Sequence, residues 1–230
     1  MEVPKNLIKI LDSSDFIFIS GESGLGKTLL ALHFCIDCIS SDSKSRNQCI
    51  WVQASENFPK KRLIQVLKGN SANMEIVLQN LYIIPRKGIF FNYNEQSKFF
   101  RNFPKMIISP DIGMLVIDNI SHHLRTRLFQ ASNPLQKLKI QDDFYRNQLL
   151  NVFSKCFREN IKLILIHEMT FDIQKDKPSL FFSKLFDRID ALNIILLKDL
   201  KNNYNKIVLN HENRIEQFNY FITNYGIKFA

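Results

Sequence analysis

The chain has 230 residues, 45% hydrophobic and 23% charged, the balance of one folded domain with a core of its own and not of a disordered polymer. No run of about 18 apolar residues occurs and the first residues carry no signal-peptide pattern, so neither a membrane-crossing helix nor a secretory leader is predicted. Lys and Arg number 31 against 22 Asp and Glu, a net +9 that favours polyanionic partners, nucleic acid before an acidic membrane surface. A drift of composition toward Asn, Lys, Ile and Phe would leave the same excess.

Taken in chain order, Phe16–Ser20 reads as a buried strand and Thr28–Ile39 as a helix. Cys49–Ala54 is a second strand, and Lys60–Lys68 and Asn73–Asn80 are helices, the latter preceded by Ser71 as a cap. Leu81–Pro85 is a third strand, Glu95–Phe103 a helix, Gly113–Asp118 a fourth strand, Asp142–Glu159 an amphipathic helix and Leu163–Ile166 a fifth strand. Three later strands fall at 191–198, 205–210 and 217–223, joined by short polar links. Strands that alternate with helices predict an α/β fold, a mostly parallel sheet flanked by helices, and the late strands predict an antiparallel extension. The segments 119–140 and 171–183 show the weakest periodicity and are expected to be functional loops.

Of seven glycines, three fall in Gly21-Glu22-Ser23-Gly24-Leu25-Gly26-Lys27-Thr28, which matches G-x-x-x-x-G-K-[ST] between a predicted strand and a predicted helix. Glycines let backbone N–H groups approach phosphates, and the helix start adds a favourable dipole end. On this reading Lys27 holds the β- and γ-phosphates of ATP and the Thr28 hydroxyl ligates Mg²⁺. Asp118, ending an apolar strand, supplies the carboxylate on the metal side. Glu56 and Glu168 follow the second and fifth strands and are the candidates for orienting an attacking water, since ligands of open parallel sheets sit beyond the carboxyl ends of strands. Each would otherwise be a solvated loop carboxylate. Cys35-x-x-Cys38 has no second cysteine pair to complete a zinc site and reads as a buried helix face; four cysteines also make no disulfide framework.

The phosphate loop, Glu56 followed by Phe58-Pro59-Lys60-Lys61-Arg62-Leu63, and Leu115-Val116-Ile117-Asp118-Asn119-Ile120-Ser121-His122-His123-Leu124-Arg125 stand in an order that resembles the ATPase core of the RecA/RadA recombinases. More narrowly, the chain is similar to the eukaryotic recombinase paralogues of the yeast-type mediator heterodimer, and Phe221–Ile227 resembles the last strand and turn of that group. The resemblance spans about residues 14–227. It implies a RecA-like P-loop core, single-domain over 1–230, that binds ATP and Mg²⁺ in the nucleus. It implies pairing with another recombinase paralogue and assistance to recombinase filaments on single-stranded DNA in homologous recombination and repair.

The departures shape the expectation. About 15 residues precede the first strand, so the N-terminal helical domain and its docking linker are expected to be absent, leaving a core that accepts a partner's linker without donating one. The spacing after Glu56 is one residue shorter than in related sequences. Glu168 stands where a nucleotide-sensing Gln is usual; an ionised carboxylate cannot donate to a γ-phosphate, so hydrolysis is expected to be weak or partner-dependent.

The stretch 119–140 holds Arg125, Arg127, Lys137 and Lys139 with His122 and His123 and no acid, and the family resemblance makes it DNA-facing. Phe181 and Phe182 are candidates for stacking on bases, or for core or interface packing. Lys60-Lys61-Arg62 reads as a solvated first helical turn. Two further readings stand beside the recombinase one: a P-loop kinase acting on a small molecule, with 119–140 as its lid, and a non-hydrolysing interaction subunit that nucleotide merely stabilises.

Overall fold

The computed structural model describes residues 5–41, 45–69, 72–172, 177–180, 183–186, 189–199, 204–211 and 214–230. The chain runs α1 (Lys5–Ser13), β1 (Phe16–Gly21), α2 (Lys27–Ser40), β2 (Gln48–Gln53), α3 (Lys60–Lys68), α4 (Met74–Asn80), β3 (Leu81–Ile84) and α5 (Tyr93–Asn102). After a 3₁₀ turn at Phe103–Lys105 come β4 (Ile112–Asp118), α6 (His122–Phe129), α7 (Pro134–Phe144), a π-helical turn at Tyr145–Leu149, α8 (Leu150–Arg158) and β5 (Lys162–Ile166). The chain then forms β6 (Met169–Asp172), β7 (Lys177–Leu180), α9 (Ser183–Phe186), β8 (Leu192–Lys198), β9 (Asn205–His211), β10 (Arg214–Thr223) and β11 (Gly226–Phe229).

Nine strands form one sheet in the order β11-β10-β9-β8-β1-β5-β4-β2-β3. From β8 to β3 all neighbours are parallel, and β9, β10 and β11 extend the sheet antiparallel. The central strands are apolar runs because both faces are covered. Ile17 and Ile19 pack toward α2 with Trp51, Val116 and Ile164, whereas Phe18 faces the opposite layer with Val52, Leu115 and Phe153. The result is helix, sheet, helix, with every parallel strand ending on one side of the molecule.

The first five strands start and stop within a residue of the sequence reading. The larger differences lie in helices. The 119–140 segment is helical, as α6 and most of α7, and not a loop. Asn133 caps α7 by accepting from the Gln136 N–H at 2.8 Å, Gln136 Oε1 accepts the Ser132 N–H at 2.8 Å, and Pro134 occupies the first turn. The helix expected from Asp142 therefore starts at Pro134. Its π turn lengthens one apolar step, from Phe144 to Leu149, and its first turns, 134–141, are mostly exposed and lack a buried apolar stripe. The 171–183 segment includes half of an antiparallel β6–β7 pairing, Phe171 opposite Pro178; Phe181 and Phe182 lie outside the described residues. Asn73 caps α4 by accepting from Glu75 and Ile76, and Ser71 also lies outside the described residues. Helix α1, with Leu7 in the core, was not anticipated.

Two histidines are buried in the core without charge partners, among the described residues, that would hold them protonated. His33 on α2 accepts the Ile227 N–H of β11 at 3.1 Å, and His167 is enclosed between Phe18 and Phe186. Burial pushes His33 down to about 4 and His167 to about 3. Because the unfolded imidazoles titrate near 6.5, the unfolded chain binds more protons as pH falls below that value, and stability is lost from about pH 6.5 toward 4. Asp118, whose carboxyl is raised to about 6 by burial, works in the opposite direction over part of that window but by less. Urea unfolding at pH 5 is expected to give a stability about 2–3 kcal/mol below that at pH 7; an equal or higher value at pH 5 would contradict the neutral, buried state of these rings.

Candidate functional site

The candidate site gathers where β1, β2, β4 and β5 end. Between β1 and α2 the backbone turns through Gly24 (φ 82°) and Gly26 (φ 87°), both left-handed, where a side chain would be strained. A Cβ on Gly24 would meet nothing within 4 Å, so this part of the loop stands open, with Glu22 and Ser23 exposed beside it. Gly21 is required for a different reason: a Cβ there would lie 2.8 Å from the Leu196 carbonyl oxygen of β8. The helix N-terminus that follows directs its unpaired N–H groups at the same space.

Lys27 curls over this turn, its Nζ donating to the carbonyls of Gly21 (2.8 Å) and Glu22 (2.9 Å). Burial lowers its pKa, and the charges of Asp118, Glu56, Glu168 and Glu22 partly offset that. Thr28 Oγ1 donates to Asp118 Oδ2 at 2.8 Å. Asp118 is 4% exposed; burial raises its carboxyl to about 6, the Thr28 hydrogen bond and Lys27 pull it down, and Glu56 pushes it further up. A hydroxyl and a buried carboxylate held this close are oxygen donors suited to a hard divalent cation. The turn, the ammonium and this pair thus fit a phosphate group with Mg²⁺.

Glu56 is exposed on the loop after β2, and that loop is firmly placed. Gln53, buried at the strand end, donates to the Pro85 carbonyl at 2.6 Å and accepts the Phe58 N–H at 2.8 Å. The Asp118 carbonyl accepts from Ala54 N–H at 2.7 Å and Ser55 N–H at 3.3 Å, locking the ends of β2 and β4 together. The Asp118–Asn119 peptide is cis.

Glu168 stands in a cluster that sequence spacing did not reveal. Its Oε1 accepts from Asn119 Nδ2 at 3.0 Å and faces His122 Nδ1 at 3.0 Å, and its Oε2 pairs with Arg125 Nη1 at 2.8 Å. Asn119 in turn accepts from both the N–H and the hydroxyl of Ser121 at 2.9 Å. The carboxylate is thus paired with the Arg125 guanidinium, and Arg125 is turned to the strand ends. Arg127 on α6 and Lys137 and Lys139 on α7 are exposed and share a surface stretch with Phe129, which is 93% exposed. In the sequence the signal for Phe129 is its place between Arg127 and Lys137. The four cysteines are buried thiols.

A Rad51 family model matches residues 7–155. The chain belongs to the Rad51 family. A crystal structure of the RadB recombinase is similar to this chain with a TM-score of 0.71 and 22% sequence identity, over 97% of this chain and 96% of that one, and shows the same fold. A search of curated proteins gives no match. Rad51-type proteins bind ATP with Mg²⁺, and family membership supports a role in recombination and repair. No helix among the described residues is long and apolar enough to cross a membrane.

Proposed function

We propose that this Rad51-family chain binds ATP·Mg²⁺ and acts as a subunit of a recombinase assembly on single-stranded DNA, paired with another RecA-like paralogue. The observation that carries the reading is the coincidence of three features at one set of strand ends. These are the left-handed glycine turn at Gly24 and Gly26, the Lys27 ammonium above it, and the Thr28–Asp118 pair beside it. Backbone amides from Gly24 to Thr28 would receive the phosphates, Lys27 the β- and γ-oxygens, and Thr28 with Asp118 the cation, which supplies charge neutralisation when bound. Glu56, whose charge reaches Lys27 and Asp118, would be the group that orients a water. The Glu168 carboxylate is already engaged by Asn119, His122 and Arg125, which supports slow turnover by the isolated chain.

The partner surface that suits this role is the edge of the sheet at β3, which pairs only with β2 among the described residues. Beside it lies a groove of about 1170 Å³ lined by Ile50, Tyr82, Ile84, Phe103, Met106 and Ile108. Lys155, buried in α8, pins the groove wall by donating to the carbonyls of Met106 (2.7 Å) and Pro104 (3.4 Å). An unpaired edge with apolar pockets suits an added strand from a partner's linker.

Lys27→Ala is expected to weaken ATP binding at least about tenfold in calorimetry, the worth of a charge-assisted contact; a wild-type chain that takes up neither ATP nor ADP, alone or with its partner, would sink the proposal. Replacing Arg127, Lys137 and Lys139 together by Ala should reduce the slope of log affinity for single-stranded DNA against log salt by about 2, and an unchanged slope would move the DNA face elsewhere. Tyr82→Glu, placing a charge on the β3 edge, is expected to abolish co-purification of a RecA-like partner while ATP binding persists; retention of the partner would assign docking to another surface.

A further inference from the structure

The antiparallel end of the sheet does more than extend it. β10 and β11 curl back over α2 and α3, and three hydrogen bonds fix them there: Ile227 N–H to His33 Nε2, and Arg62 of α3 to the carbonyls of Thr223 (2.6 Å) and Asn224 (3.2 Å). Arg62 is therefore no free member of a solvated basic turn. A fourth bond reaches the phosphate loop itself. The Tyr220 hydroxyl of β10 donates to the Leu25 carbonyl at 2.7 Å, across 195 positions of sequence, from a ring with no exposed surface. The next inward contact is Ile222, whose Cδ1 would lie 3.2 Å from a Cβ on Gly26. The hairpin thus forms the floor under Leu25 and Gly26.

A trans peptide is planar, and its C=O and N–H point in opposite directions. Holding the Leu25 carbonyl toward β10 therefore turns the Gly26 N–H away from β10, to the open side of the turn. Gly26 has no Cβ to oppose rotation of that peptide, and its left-handed backbone is one that the chain alone holds loosely. Without the phenol, the carbonyl would be buried with no donor, and the peptide would have every reason to rotate.

We propose that Tyr220 is a positioning residue for the anion-binding turn: its hydroxyl locks the Leu25–Gly26 peptide so that the Gly26 N–H is presented to phosphate before any ligand arrives. The inference rests on the nucleotide reading given above and adds to it a contact from the far end of the chain. Pre-organisation of this kind removes an ordering cost from binding. Linkage makes it reciprocal, so a bound nucleotide must also steady the β10–β11 hairpin.

The test uses the full chain, with its partner where one is needed for solubility, and ADP with Mg²⁺ as the probe. Tyr220→Phe keeps the ring in the core and removes one oxygen, and its dissociation constant for ADP is expected to rise by about tenfold. Phe218→Leu, which thins the packing of the same strand against Phe229, serves as the control: it should lower Tm and leave ADP affinity unchanged. Hydrogen exchange on the wild type gives an independent reading that survives a misfolded variant, since ADP should slow amides of β10 along with those of the phosphate loop. Equal ADP affinity in Tyr220→Phe, an equal loss in Phe218→Leu, or no change at β10 in exchange would each overturn the role of Tyr220 while leaving nucleotide binding intact. A wild type that releases no heat with ADP would overturn the nucleotide reading first and this inference with it.

Discussion

A buried carboxylate near a half-buried ammonium and an open anion-binding turn is a costly arrangement for a protein with nothing to bind. Asp118 is almost wholly shielded from water and its carboxyl is raised by that shielding. Lys27 is lowered by the same cause. The Asp118 charge is offset by the Thr28 hydrogen bond and then by Lys27, and the Lys27 charge by Asp118 and the acids around it; a bound anion with its cation would complete the neutralisation. The rest of the structure follows from keeping these groups in place. The parallel sheet brings the ends of β1, β2, β4 and β5 to one side, the Asp118 carbonyl staples β2 to β4, and Gln53 fixes the loop that carries Glu56.

Two different devices supply positive charge near this point. Lys27 is local, set by the motif and by the turn from β1 into α2. Arg125 comes from α6 and is directed inward by Glu168. The carboxylate at that position repels a phosphate less than its formal charge suggests, because its two oxygens face three donors. The same contacts tie the end of β5 to the start of α6, the helix that leads to the exposed basic stretch. A shift at the strand ends therefore has a short covalent and hydrogen-bonded route to the surface carrying Arg127 and Phe129.

What could be read in the sequence was local. The glycine spacing with Lys27 and Thr28 specifies a turn whose parts are consecutive, and Asp118 ends an apolar run that has no other way to be buried than as an inner strand. The strands were legible for the same reason, since a run covered on both faces has to be apolar throughout. Helix α6 and the first turns of α7 were not, because apolar residues left exposed among the basic ones, Phe129, Leu135 and Leu138, blur the amphipathic period. The cap at Asn133 and Pro134 was the surviving local sign. The Glu168 cluster and the Tyr220–Leu25 bond lay beyond reach, since each joins residues from separate elements and no spacing rule connects them.

The C-terminal strands change what the P-loop can be in this chain. A glycine-rich turn alone is adaptable, and adaptability opposes tight anion binding because the turn must be ordered each time. Here the turn rests on a floor whose own position depends on Arg62, at the start of α3, and on His33, in the helix that the turn begins. α3 follows directly from the Glu56 loop, so the hairpin touches both sides of the nucleotide space, the amides that would hold phosphate and the segment that presents the carboxylate. His33 must be neutral to accept the Ile227 N–H, which makes the same floor sensitive to acid. The last two strands and the phosphate loop are consequently coupled through the Tyr220–Leu25 bond, and a change in that bond should be read at both ends of the chain.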